Sequence, residues 1–529
     1  MKRRLCALVA FLTLIAGAAS AQDARTVLEN AAKAMGAVNM KTIQYSGAGW
    51  DGSVGQSYNL TSDWPRFEVP SFMRVIDYDA KSWREERTRR QGNYPTYGRL
   101  PLQEEKITAL LSGNFAWNMK GDNPVPQTGR FLEGPPIAEL RQLEITLTPH
   151  GFLKAALAGN PTAMSEPIVG PSDGGLSSNG RKVTIVSFTA LGKYKVNGTI
   201  NDQNLVELVT TWIPNPVYGD MLYEFRYTQY KDFGGIKFPA LVHVHLGNPV
   251  LNPAHNIYEI KVNSVNANVS IPAISVPEAV RQAVDPPVRV ESQKLADGVW
   301  LLAGGSHNSV LVEFRDFVTV IEAPLSETRS LAVIEEVNKL VPGKPIRYLV
   351  NTHHHFDHAG GLRTYLAQGT TIVTHELNKE YYLQILFHPG GWTLQPDRLA
   401  TFYPMFMISR RPAPIETVQD KDVLTDDARV MDVYHVQDMS YALEDASYRQ
   451  GNHSEDMLMV YLPKEKILVN ADLYTPPAPG APPPAATNPG AITLYQNIKR
   501  LKLDVAQHVP IHGRPGANDE FLKIVGKTN

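Results

Sequence analysis

Ile346-Arg347-Tyr348-Leu349-Val350-Asn351-Thr352-His353-His354-His355-Phe356-Asp357-His358-Ala359-Gly360-Gly361 is the stretch on which this chain has to be read. It opens as a short apolar strand, Ile346–Val350, and then offers H-x-H-x-D-H, four ligand-type side chains within six residues at a strand's C-terminal edge. His353 and His355 can point one way from an extended turn, while Asp357 and His358 start a helix and point toward a second position. Imidazole and carboxylate suit zinc, and also iron or manganese. One ion cannot readily take all four groups from so tight a loop, so two adjacent divalent ions are predicted.

Two ions need more ligands, and the downstream sequence supplies them in order. His453 lies in Gly451-Asn452-His453-Ser454-Glu455-Asp456, just before the strand Met457–Leu462. Asp472 closes the strand Ile467–Ala471, and His512 closes Val509–Ile511 ahead of Gly513. Each is a polar residue at or beside a strand tip, where α/β folds gather their sites. The order H-x-H-x-D-H, His, Asp, His resembles the metallo-β-lactamase superfamily over roughly residues 290–525. The resemblance implies a C-terminal αββα sandwich in which His353, His355 and His453 bind a first metal. Asp357, His358 and His512 would bind a second, with Asp472 bridging. It also implies a metal-dependent hydrolase whose catalytic residues include Asp357 and Asp472, acting through a metal-bridging hydroxide. Zinc is the first expectation for both ions, with iron or manganese as alternatives. One position departs from the family: the acidic residue at the tip of an early strand is Glu322, one methylene longer than the usual Asp. The gap from His358 to His453 also exceeds what a minimal version of the fold needs, so Leu377–Tyr448 must hold an elaboration near the site.

The rest of the chain sets the frame. At 529 residues it is long enough for at least two domains. Residues 1–21 read as a secretory signal: Lys2-Arg3-Arg4, an apolar run Leu5–Ala18, and a small-residue cleavage site at Ala19-Ser20-Ala21. Its removal leaves 48 basic against 53 acidic residues, a formal −5, and takes away Cys6, the only cysteine. Any metal site of the mature chain must then be built from His and carboxylate, and its location is periplasmic or secreted. No second long apolar run follows, which excludes a multi-pass membrane protein. The acidic balance disfavours nucleic acid as a partner and leaves a small-molecule substrate.

Between residue 22 and residue 285 the pattern is a helix over 24–38 followed by short alternating strands, among them Ile43–Trp50, Lys182–Ser187, Met221–Gln229 and Ile257–Val262. Two short helices are predicted at Ile137–Leu143 and Gly151–Ala158. This is a mainly antiparallel β (α+β) domain without an assigned role. The proline-bounded passage Pro277–Val290 is the linker, and residues 286–529 alternate strand and helix as the α/β hydrolase domain.

Other chemistry-bearing residues have plainer readings. Gly170-Pro171-Ser172-Asp173-Gly174 matches G-x-S-x-G but lacks the following helix a nucleophile elbow needs. His354 reads as a packing residue, His243 and His245 as neighbours on a half-exposed strand, and His375 as a local structural group. Tyr474 is a candidate leaving-group acid. The apolar cluster Phe402–Met407 fits core packing as well as a substrate pocket, and the seven prolines of Pro476–Pro489 make a stiff loop close to Asp472. The leading function is hydrolysis of a carbonyl compound: a β-lactam, lactone, thioester or related ester or amide. A phosphodiesterase on the same fold, an iron-dependent oxidoreductase, and a periplasmic ligand-binding or carrier protein are the alternatives.

Overall fold

The computed structural model describes residues 23–167, 182–247, 255–386, 391–402, 414–438, 452–481 and 486–527. Residues 1–22 with Cys6, the Ser172 motif and most of the Phe402–Met407 cluster lie outside the described residues. Among those described, no helix is long and apolar enough to cross a membrane.

The N-terminal half forms one antiparallel sheet of 13 strands. Two meanders meet at its centre, where the first strand, Thr42–Gly52, pairs with the last, Asn256–Ala267. The predicted alternation is visible in Lys237–Gly247, whose Phe238, Val242, Val244 and Leu246 are buried. Residues 23–34 are helical and bury Leu28, Ala31 and Ala32. The two predicted helices are present and longer than expected, Ile137–Leu147 and Pro149–Ala158. Thr148 separates them: its hydroxyl accepts from Gly151 N at 3.1 Å, and Pro149 occupies the first turn, where its missing N–H costs nothing.

Under this helical pair sits a pH-sensitive contact. His150 is fully buried, stacks on Phe238 at 5.7 Å and faces the Met35 carbonyl at 3.1 Å. Burial pushes its pKa down to about 4. Between that value and the unfolded value near 6.5, the unfolded chain binds a proton that the native state refuses. Stability therefore falls as pH drops through this window, by up to roughly 3 kcal/mol. Melting temperatures recorded from pH 7 to pH 4.5 should show a shallower acid slope for His150→Gln than for the parent; parallel slopes would remove this group as the cause.

The C-terminal half contains two further sheets. Seven strands run in the order Glu291–Ala296, Val299–Ala303, Ser309–Glu313, Val318–Ile321, Ile346–Val350, Thr371–His375 and Ile415–Val418, the last four parallel to one another. Six strands form the other sheet, with Ile467–Asn470 and Gln507–Pro510 paired in parallel near one edge. Val318–Ile321 and Ile467–Asn470 are buried at every position, which is why they are mainly apolar, with only Thr319 and Asn470 polar, rather than alternating. One core joins the sheets: Val310, Ile321, Val350 and Val373 pack with Val433, Val460, Val469 and Val509. On the other face of the first sheet, the helix Glu327–Leu340 buries Val333, Ile334 and Val337 in a cluster with Leu302, Leu311, Val320 and Leu349. That cluster runs on without a break into the 13-stranded sheet. The connection between the halves, Pro277–Val290, carries one short helix, Glu278–Arg281.

Candidate metal centre

The strand Ile346–Val350 delivers the histidine loop to the sheet's edge as the sequence predicts, and Phe356–Ala359 turns it into a short helix. The structure brings all seven predicted site residues together. His353 Nε2 and His453 Nε2 lie 3.0 and 2.9 Å from His355 Nδ1, so three imidazole nitrogens converge. His358 Nε2 and His512 Nε2 are 3.3 Å apart, and Asp357 Oδ2 is 3.6 Å from His358 Nε2. Asp472 stands between the two groups. Its Oδ2 is 2.8 Å from His358 Nε2, 3.4 Å from His353 Nε2 and 3.6 Å from His453 Nε2, while Oδ1 is 3.1 Å from His512 Nε2. Its backbone is left-handed, φ +57°, a turn that aims the side chain off the end of its strand.

The remaining ring nitrogens reveal what the converging atoms carry. His355 Nε2 meets the Ser57 carbonyl at 2.8 Å, His512 Nδ1 the Ser306 carbonyl at 3.0 Å, and His358 Nδ1 the Glu322 carboxylate at 3.0 Å. All three partners only accept, so those nitrogens donate. Thr352 gives its hydroxyl proton to Glu322, leaving its oxygen to accept from His353 Nδ1 at 3.0 Å. Each of these four rings thus turns its second nitrogen toward the centre, where the neutral imidazole offers a lone pair to a metal. Burial and then the neighbouring imidazoles hold His353 and His355 well below the usual pKa, and burial takes His453 down to about 3. At His358 burial pulls the same way, but the Asp472, Asp357 and Glu322 carboxylates outweigh it and raise the pKa. Asp357 is the converse: burial opposes ionisation, and the His358 charge with the His307 hydrogen bond overcomes it, lowering its pKa.

Ring nitrogens and carboxylates converge here at 2.8–3.6 Å, so positive charge must lie among them, as a proton on His358 or as a bound metal. Asp472 Oδ2 is buried, and its neighbours are the ring nitrogens of His358, His353 and His453. Ligands of one tetrahedral zinc sit about 3.3 Å apart, from bonds of roughly 2.0–2.1 Å. The donor set, its spacing and the hydrogen bonds that hold its outer ring nitrogens therefore fit bound divalent metal. Three overlapping groups among the described residues could hold an ion: His353 with His355 and His453; His307 with Asp357, His358 and His512; and Glu322 with His353 and His358.

Several participants escape a reading of the sequence. His307 precedes the strand Ser309–Glu313; its Nε2 is 3.3 Å from Asp357 Oδ2, and its ring lies 4.2 Å from that of His512. Its placement at a strand's entrance is the one local signal, and a weak one. Glu322 proves long enough for its place. Fully buried, and with a left-handed φ of +78°, it accepts from His358, Thr352 and Asn351. The 13-stranded sheet also reaches in. Gln56 Nε2 donates to Asp357 Oδ1 at 2.6 Å, and Arg99 Nη2 contacts Gln56 Oε1 and lies 3.2 Å from His453 Nε2. Gly55, at φ +75°, approaches so closely that a Cβ there would meet the Phe356 ring at 2.3 Å.

The other candidates are accounted for elsewhere. His354 turns away from the centre, with Nδ1 on Asp456 at 2.9 Å and Nε2 on Ser57 Oγ at 3.2 Å. His375 Nδ1 accepts from Leu377 N at 3.3 Å. His243 lies between Glu259 and Asn256, and His245 faces Glu224 at 2.9 Å. Tyr474 packs against Phe521 at 4.8 Å and His508 at 5.5 Å, and its hydroxyl has no hydrogen-bond partner. Burial drives its pKa up to about 12, which keeps the hydroxyl protonated near neutral pH. Phe402 is exposed.

A comparison with curated protein sequences finds no match. Among solved structures, the chain is similar to a metallo-beta-lactamase from Pontibacter korlensis, at 18% identity over 45% of this chain and 100% of that one, with a TM-score of 0.32. It is similar to a metallo-beta-lactamase from Hirschia baltica, at 18% identity over 45% and 95% of the two chains and a TM-score of 0.30. It is also similar to rubredoxin oxygen:oxidoreductase from Desulfovibrio gigas, at 16% identity over 45% and 60% and a TM-score of 0.33. The sequence model of the metallo-beta-lactamase superfamily matches residues 302–504, a span that holds every predicted site residue except His512. Residues 302–504 of this chain are a metallo-beta-lactamase superfamily domain.

Proposed function

We propose that this chain is an exported, dinuclear metal-dependent hydrolase of carbonyl substrates: a β-lactam, lactone, thioester or related ester or amide. In this reading residues 1–21 are a removable export signal, residues 22–285 a first domain, and residues 286–529 a hydrolase domain of αββα type. The observation that carries the proposal is the convergence of five imidazole nitrogens and two carboxylates on one small volume. His353, His355 and His453 would hold one divalent ion, most simply zinc. Asp357, His358 and His512 would hold the other, with Asp472 shared. Such a pair supplies a hydroxide nucleophile near neutral pH and polarises a carbonyl oxygen.

The chain's own contribution is positioning. Glu322 fixes His358 by accepting its Nδ1 proton and steadies His353 through Thr352. Outer partners of this kind typically govern metal affinity by about 10–100-fold. Asp357 is gripped from both sides, Oδ1 by Gln56 and Oδ2 by His307, so its carboxylate cannot rotate freely. Burial lowers the pKa of His307, which favours the neutral ring beside Asp357 near pH 7. Burial of His353, His355 and His453 excludes water from their side of the centre, while Asp357 and His512 are partly exposed and mark the open side.

The test is elemental analysis of residues 22–529 purified without chelator, beside an Asp357→Ala, His358→Ala double variant. The parent should carry about two zinc, iron or manganese ions per chain and hydrolyse at least one member of a lactam, lactone and thioester panel. The variant should fall to one ion or none and lose turnover. A parent that binds no metal, even after zinc is added, would overturn the proposal.

A further inference from the structure

We infer that Arg99, carried on the 13-stranded sheet and not on the hydrolase fold, is a specificity residue that binds an anionic group of the substrate. The inference rests on the metal-centre reading above and adds the substrate's charge to it. Arg99 lies outside the matched span 302–504, yet its Nη2 is 3.2 Å from His453 Nε2. It is held there from two directions. Gln56 accepts from it through Oε1 while donating to Asp357 Oδ1 at 2.6 Å. Its neighbour Gly98 accepts from Gly490 N at 3.0 Å, and Tyr97 stacks on Tyr58 at 5.3 Å. The loop is therefore built against the centre from both halves of the chain.

No carboxylate of the described residues forms an ion pair with this guanidinium, although Asp357 and Asp472 are close by and serve the histidines. When His453 Nε2 is given to a metal, the Arg99 donor facing it loses that acceptor. The charge of two divalent ions would be balanced by Asp357, Asp472, Glu322 and a hydroxide, so Arg99 leaves one uncompensated positive charge beside the centre. A half-buried cation beside such a centre is electrostatically costly by itself. An anion resolves the conflict: a planar guanidinium offers a paired-donor fork that matches a carboxylate. The substrate class is thus an acyl compound bearing a carboxylate within reach of the labile bond.

The experiment uses the full mature chain loaded with cobalt, and two probes, 3-mercaptopropionate and 3-mercaptopropionamide. Both present a thiolate to the metal, and only the first carries an anion. The thiolate-to-cobalt absorption band gives each dissociation constant without turnover. The parent should prefer the carboxylate by about 10- to 100-fold, the span expected for a charge-assisted pair. Arg99→Ala should keep its cobalt and its affinity for the amide and lose the preference, and Arg99→Lys should keep part of it. No preference in the parent, a preference that survives in Arg99→Ala, or equal weakening of both probes in that variant would each overturn the inference while leaving the metal centre standing. Failure of the parent to take up cobalt would overturn both.

Discussion

Replacing Asp472 by alanine is expected to empty the metal centre and abolish turnover, the largest effect of any single substitution in this chain. The Asp472 carboxylate pairs with histidines of both groups: Oδ2 is 2.8 Å from His358 Nε2 and 3.4 Å from His353 Nε2, and Oδ1 is 3.1 Å from His512 Nε2. Removing it takes away the anion that would neutralise two adjacent cations and leaves the His358 and His512 ring nitrogens facing each other without a carboxylate between them. The fall in kcat/KM should exceed the roughly 100-fold that loss of an outer partner costs. Alanine also fits the left-handed backbone at this position poorly, so part of its effect could be structural. Asp472→Asn separates the causes, because asparagine tolerates that conformation and keeps the shape while dropping the charge. Both variants should retain at most one ion by elemental analysis. If Asp472→Asn keeps two ions and parental activity, the shared-ligand role is wrong.

How much of this was legible in the sequence depends on distance along the chain. His353, His355, Asp357 and His358 are neighbours, and their arrangement follows from one strand running into one helical turn. His453, Asp472 and His512 could be found because each ends or precedes an apolar run, and strand ends are where a sheet displays its side chains. The antiparallel character of residues 42–267 was readable from alternation, and the two helices at 137 and 149 from their periodicity. Their extra length was not, because it depends on burial of Leu147 against the sheet and on the Thr148 cap. What the sequence hid was contact between distant segments. Gln56 reaches Asp357 across 301 positions and Arg99 reaches His453 across 354, and no local pattern encodes either meeting. Glu322 was visible as a departure from the family, but only its left-handed backbone shows how the longer side chain is accommodated.

The same long-range contacts predict that residues 286–529 expressed alone will not form a working metalloprotein. Phe356 sits between His355 and Asp357, and its ring meets Tyr218 at 4.8 Å and Trp64 at 5.7 Å, both in connections between strands of the 13-stranded sheet. Its backbone N–H donates to the Gly55 carbonyl at 3.1 Å, and Glu455 N donates to Tyr58 O at 2.9 Å. Cutting the chain at residue 286 would expose Phe356 and Tyr381, which belong to the core shared by the two halves. It would also deprive His355 Nε2 of the Ser57 carbonyl that keeps its Nδ1 lone pair on the centre. A contiguous aromatic patch of this kind drives association in water. The fragment should therefore accumulate as aggregate, or as soluble protein with fewer than two ions per chain. In the full chain, Phe356→Ala should cost roughly 3–5 kcal/mol of stability, the usual range for emptying a buried aromatic site, and should weaken metal retention with it. Calorimetry and elemental analysis of both proteins decide the matter. A fragment that is monomeric, melts cooperatively and carries two ions would mean that the sheet only rests on the hydrolase fold; loss of metal in both proteins would mean that the metal centre is shared between the two halves of the chain.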